Sequence, residues 1–351
     1  MINDKNLKQE GGEQSTNFQG QTVNVYQGIT YTDAKEIALD VFKTNFIHLK
    51  NEAAQIAADR AEEITENILS KLTEKTPERL QEFQQPSMQD ALFTAQKEYA
   101  KSGDKDLGDL LVDIIVDRAG VTKRNMLQIV LDESLLIAPK LTIEQLDTLT
   151  LNFLLARTRR MTIKNYEDFK NYLTNFILPF TDNITSEHEH YNYLEYLRCG
   201  QIRVGDYGQL ENNLRETYKG FFAKGFTEEE FKAEFENIAP LTPLLIPCFH
   251  DKAKLQIGVF DDETLKLRMD ELSIDVATKT KFQAFFEKTT MTGNEIKDKL
   301  IQLDNRMEKV FTTWSNSSFK KFELSHVGIA IGHANYRRKT NETMDLSIWI
   351  K

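Results

Sequence analysis

The sequence has few of the residues that usually announce chemistry. Cysteine occurs twice among 351 residues, at Cys199 and Cys248, without a CxxC or CxxH neighbour, so neither a disulfide framework nor a zinc site is signalled and a reducing cytoplasm fits. No stretch approaches the roughly 18–20 apolar residues that a membrane span needs. The opening MINDKNLKQEGG lacks the apolar run of a signal peptide. Positive charge is in deficit, with 44 Lys and Arg against 54 Asp and Glu, and the formal net charge of -10 disfavours a nucleic-acid backbone or an anionic membrane as partner. No GxxxxGK[ST], GxSxG or HExxH pattern occurs, so no catalytic, cofactor-binding or metal-ligating residues are assigned.

What is present begins with the first residues. GEQSTNFQ and GQTVNVYQ, covering 12–19 and 20–27, repeat Gly, an aromatic residue and Gln in register, and Gly28 follows them. Each unit is compatible with a strand, and each Gln-Gly boundary supplies the glycine that a tight turn needs. A hairpin turning at Gln19 and Gly20 places Phe18, Val23 and Val25 on one face and Ser15, Asn17, Thr22 and Asn24 on the other. Stacked rungs instead place Phe18 over Tyr26 and Gln19 over Gln27. Either unit leaves unpaired edges, and the partner we expect is the same segment of another copy. The oligomerisation residues are therefore Phe18, Gln19, Gly20, Val23, Val25, Tyr26, Gln27 and Gly28.

The body reads as mainly α. Thr32 or Asp33 with Glu36 offers a capping box. The spacing of Ile37, Val41, Leu49, Ile56, Ile64, Ile68 and Leu72 predicts one helix from 32 to about 73. Its alanine-rich middle, EAAQIAADRAEEI, suits a seam between copies or a core helix of one subunit. Amphipathic segments over 87–102, 105–119, 122–138, 142–158 and 164–177 predict a bundle. APLTPLLIPCFHDKAKLQIGVF marks a boundary followed by a short strand, Asp262 to about Trp314 is helical again, and SFKKFELSHVGIAIGHANYRRK reads as a strand, a capping Ser325 and a helix. Gly328 and Gly332 lie one turn apart there and permit close approach of another backbone, while LSIWIK predicts a closing strand anchored by Trp349. The expected organisation is a β-strand head over 1–31, a long helix over 32–75, an α-helical domain over 76–240 and a small α+β region over 241–351.

Four clusters invite a chemical reading. Asp109, Asp113 and Asp117 line one helix face, which we read as solvated, because like charges at that spacing destabilise a helix otherwise. RTRRMTIK, over 157–164, carries four basic groups and no acid, as an exposed loop or a site for a phosphate or acidic partner. His188 and His190, two apart, point to different sides of a helix and do not share a metal. Cys248 and His250 lack a visible orienting third group for nucleophilic chemistry.

QEGGEQSTNFQGQTVNVYQGITYTDAKEIALDVFKTNF, the central SGDKDLGDLLVDIIVDRA with APKLTIEQLDTLTLNFL, and the close LSHVGIAIGHANYRR through LSIWI together resemble one family of uncharacterised bacterial proteins over most of the chain. The resemblance implies a setting in mobile-element or phage-defence neighbourhoods and brings no catalytic residues. The head is more loosely similar to amyloid-like signalling motifs of bacterial immunity, with Asn-Phe-Gln-Gly and Val-Tyr-Gln-Gly in place of the Val/Ile-Gln-Val/Ile-Gly tetrad. KFELSHVGIAIG resembles the strand and helix that end many winged-helix domains, which would offer Lys320, Lys321, Arg337, Arg338 and Lys339 to phosphates. The expected function is a self-assembling, non-catalytic scaffold or sensor in defence, its partner a further copy and a phage or host protein. A nucleic-acid binder and a hydrolase or nuclease without a known motif are the alternatives.

Overall fold

Residues 28–46, 52–163 and 165–351 are described by a computed structural model of the chain. Phe18, Gln19, Gly20, Val23, Val25, Tyr26 and Gln27, and the head strands expected over them, lie outside the described residues. Gly28 is described, against the side chain of Gln81.

The single helix expected over 32–75 is instead two, α1 (Tyr31–Asn45) and α2 (Glu52–Lys75), folded back on each other. Thr30 caps α1: its hydroxyl accepts from the Asp33 amide at 3.2 Å and the Asp33 carboxylate accepts from the Thr30 amide at 2.8 Å, so the box partner is Asp33 rather than Glu36 three positions on. Burial explains the division. Phe42 stacks on Phe46 at 4.5 Å, and Phe42 closes over Ala57 and Ala61 of α2, an apolar stripe that a lone rod would leave in water. Lys35 ties the pair by bridging Glu62 at 2.8 Å and Glu66 at 2.7 Å.

The bundle continues through α3 (Pro86–Ser102), α4 (Lys105–Ala119), α5 (Met126–Ile137) and α6 (Ile143–Arg157), close to the predicted segments. Pro86 opens α3, where its missing N–H costs nothing, and Gly103 ends it in the left-handed region at φ 63°. Then come α7 (Tyr166–Tyr172), α8 (His188–Tyr196), β1 (Gly200–Ile202), α9 (Leu210–Tyr218) and α10 (Glu228–Glu234), the last capped by Thr227 with Glu230 completing a capping box. β2 (Leu245–Pro247), β3 (Leu255–Ile257), α11 (Asp262–Glu271), α12 (Val276–Thr289), α13 (Gly293–Leu303), α14 (Arg306–Asn316), β4 (Phe322–Leu324) and α15 (His326–Thr340) complete the order. Both strand pairs are short and antiparallel: Gly200 lies opposite Leu324, and Leu245 opposite Ile257.

A large apolar core runs from Ala34 to Ile350, and a second is built from phenylalanines 226, 231, 235, 282, 285 and 286. α15 lies at the centre of the large one, packed on α4, α5 and α6, with every residue from Gly328 to Arg337 buried. Its glycines do what their spacing suggests. A Cβ on Gly328 would stand 1.9 Å from the Cys199 carbonyl oxygen, and one on Gly332 3.0 Å from that of Leu149. LSIWIK is not a strand: Leu346–Ile348 forms a 3-10 turn capped by Asp345, with no strand paired beside it among the described residues. Trp349 still anchors the end, donating to the Arg157 carbonyl at 3.1 Å and meeting Phe153 edge-on. Among the described residues no helix is long and apolar enough to cross a membrane.

Candidate functional site

The three carboxylates of α4 do not share a solvated face. Asp109 is exposed, Asp117 half-buried and Asp113 fully buried, because α15 lies against them. From α15, Arg337 donates to Asp113 at 2.8 Å and to Asp117 at 2.6 Å, and Lys71 of α2 meets the same Asp113. The like charges are thus held by two cations, and the cost of burying them is offset only while both partners remain. One turn away, His333 donates from Nε2 to the Met344 carbonyl at 2.8 Å, and its Nδ1 faces Asp117 at 3.7 Å. Burial holds the His333 pKa below the ordinary imidazole value despite that carboxylate.

Lys339 reaches Asp147, buried on α6, at 2.7 Å, and Asn183 and Asn335 donate to the same carboxylate. Arg338 pairs with exposed Asp106 at 2.5 Å. Lys320 faces Asp206 at 3.5 Å, and half-buried Lys321 accepts through its carbonyl from the Arg203 amide. The five basic residues nominated for nucleic acid therefore fall in two places: Arg337, Arg338 and Lys339 turn to carboxylates of the bundle, while Lys320 and Lys321 stand beside the β1–β4 pair.

The 157–163 loop behaves the same way. Arg157 pairs with Glu323 at 3.0 Å, Arg159 with Asp261 at 2.5 Å, and Arg160 with both oxygens of Glu342 at 2.5 and 2.7 Å, its guanidinium 4.1 Å from the Phe176 ring centre. These are clasps to distant parts of the chain, and Lys164 lies outside the described residues. His190 bonds the Thr148 hydroxyl at 3.0 Å and His188 sits 3.4 Å from Ser318, so the pair diverges as its spacing predicts. Cys248 faces the Ala223 carbonyl and His250 the Phe221 carbonyl, each bonded elsewhere rather than to the other. Both cysteines are buried and free, and burial pushes the Cys199 thiol up to about 12. Among the described residues no three His, Cys, Asp or Glu side chains stand placed to hold a metal ion.

Two open grooves share α3 and have opposite chemistry. The first, about 570 Å³, runs between the N-terminal half of α3 and α5; Ala91 and Leu135 form its floor, Ile129 an exposed wall, and Asp90, Asp132 and Glu133 its carboxylates. Asp132 accepts from buried Arg118 at 2.6 Å, whereas Asp90 and Glu133 have no cationic partner among the described residues. Burial, reinforced by Asp90, raises the Asp132 pKa despite Arg118. Arg124 is the one cation lining this groove. The second, about 580 Å³, lies between α2 and the C-terminal half of α3, walled by Phe46, Ile56 and Phe93, and its lining charges are Arg60, Lys97 and Lys101. Lys97 and Lys101 share one carboxylate, Glu98, at 3.3 and 3.2 Å. Sequence reasoning missed both grooves. The signal for the first was apolar residues seven apart on α5, Ile129 and Leu136, facing away from the helix's own buried side.

Fold and seam together define a mainly α-helical protein assembled around its own C-terminal helix. The chain belongs to an uncharacterised family, described only as ":-like", whose model matches residues 28–350. Comparison with the curated proteins and with the solved structures gives no match.

Proposed function

We propose that the chain is a non-catalytic, self-assembling scaffold or sensor of bacterial anti-phage defence, acting in the cytoplasm and joining copies through residues 18–28. One observation carries this reading. The family match starts at Gly28, just after the second octad, and the described body has its own cap at Thr30 and its own core from Ala34 onward. The strand-compatible octads, if paired as their sequence suggests, would carry open edges suited to pairing between copies. The resemblance of the family segments to proteins of phage-defence neighbourhoods supports the setting.

Light scattering on the full-length protein and on the full-length double variant Val23→Asp, Val25→Asp tests it. A large wild-type species that becomes smaller in the variant is expected. The same mass distribution for both would remove the head from the account.

A further inference from the structure

The geometry points to a second contact between copies, made by the body: the basic groove of one chain, walled by exposed Ile56, docks on the acidic groove of the next. This rests on the reading that copies associate, but it uses different residues from the head. Both grooves have apolar walls left in water, with Ile56 43% exposed on one and Ile129 and Leu136 47% and 46% exposed on the other. Their charges are complementary. Arg60, Lys97 and Lys101 line the first, and Asp90, Asp132 and Glu133, with Arg124 as the opposing cation, line the second. The basic groove carries three cations against the one carboxylate, Glu98, that Lys97 and Lys101 share, and in the acidic groove Asp132 is held by Arg118 while Asp90 and Glu133 have no cationic partner among the described residues.

A small unit cannot satisfy both surfaces by folding on itself, because they share the rigid helix α3. Residues 87, 90, 91 and 94 line one groove and 93, 97, 100 and 101 the other, about a quarter turn apart at roughly 100° per residue. Joining unlike surfaces is heterologous. Each added copy presents a fresh groove, so the contact builds a ring if the rotation closes and a filament if it does not. A self-complementary pairing of either groove would set like charges against each other. Exposed ionic complementarity is screened by salt, so the contact weakens as ionic strength rises.

Charge reversal tests the pairing in full-length protein carrying Val23→Asp and Val25→Asp, so that the head does not contribute. One protein adds Asp90→Lys and Glu133→Lys, and a second adds Lys97→Glu and Lys101→Glu; all four are exposed or half-buried side chains. The parent is expected to exceed the mass of one chain by light scattering, each reversed protein to fall to one chain, and an equimolar mixture of the two to regain association. The neutral pairs Asp90→Asn, Glu133→Gln and Lys97→Gln, Lys101→Gln guard against misfolding and are expected to weaken association without shifting the melting temperature. A parent that is a single chain at every concentration, reversals without effect, or a mixture that stays dissociated each overturns the proposal. A head variant with wild-type mass defeats the head reading alone and leaves this result legible.

Discussion

The seam between α15 and α4 and the grooves beside α3 treat charge in opposite ways. In the seam, Asp113 is fully buried and held by Arg337 and Lys71, and Asp147 is fully buried and held by Lys339 and two asparagines. Beside α3, Asp90 and Glu133 stand over an apolar floor with no cationic partner among the described residues. Charge matched inside the chain holds the fold together. Charge left over beside exposed isoleucine and leucine is available to something else.

The sharpest way to break that contrast is to remove one partner from each side. Arg337→Met leaves Asp113 and Asp117 short of their shared guanidinium, and we expect a loss of about 3–5 kcal/mol in urea unfolding. Gly328→Val puts side-chain atoms where the Cys199 carbonyl already stands, and overpacking at this backbone contact should cost about 1–3 kcal/mol or more. A pH series separates the buried side from the exposed one. Burial lowers the pKa values of His190, His250 and His333. Above about 6.5, the ordinary value, folded and unfolded chains are both neutral at these rings. Below it the unfolded chain takes up protons that the folded chain refuses, so stability falls as pH drops from about 6.5 towards the folded values. Denaturant midpoints should show this slope, and His333→Gln should reduce it. Smallest of all, Glu133→Gln on the groove should change stability by no more than about 0.5 kcal/mol, while light scattering shows weakened association.

Local signals carried the helix ends and failed where a distant partner decided the outcome. Thr227 with Glu230, and Ser325 before Gly328, are side-chain bonds within three residues, and Ser325 caps its helix as expected. The break between Asn45 and Glu52 has no glycine or proline to announce it, and it follows from burying Ala57 and Ala61 against Phe42, a contact that periodicity cannot see. Asp113 looked solvated because its neighbours four residues away are acidic, and the arginine that reverses this is 224 positions along. The grooves were hidden for the same reason. Ile129 and Leu136 are ordinary helix residues until the packing of α3 and α5 shows which side remains open.

The central place of α15 has a consequence for how the protein is made. Lys339 and the Asp147 it neutralises are 192 positions apart, and translation proceeds at roughly 5–20 residues per second, so α6 emerges from the ribosome on the order of ten to forty seconds before its partner exists. Throughout that interval the bundle lacks its middle, while the N-terminal octads are already outside the tunnel. Until Lys339 arrives, Asp147 stands without the cation that neutralises it.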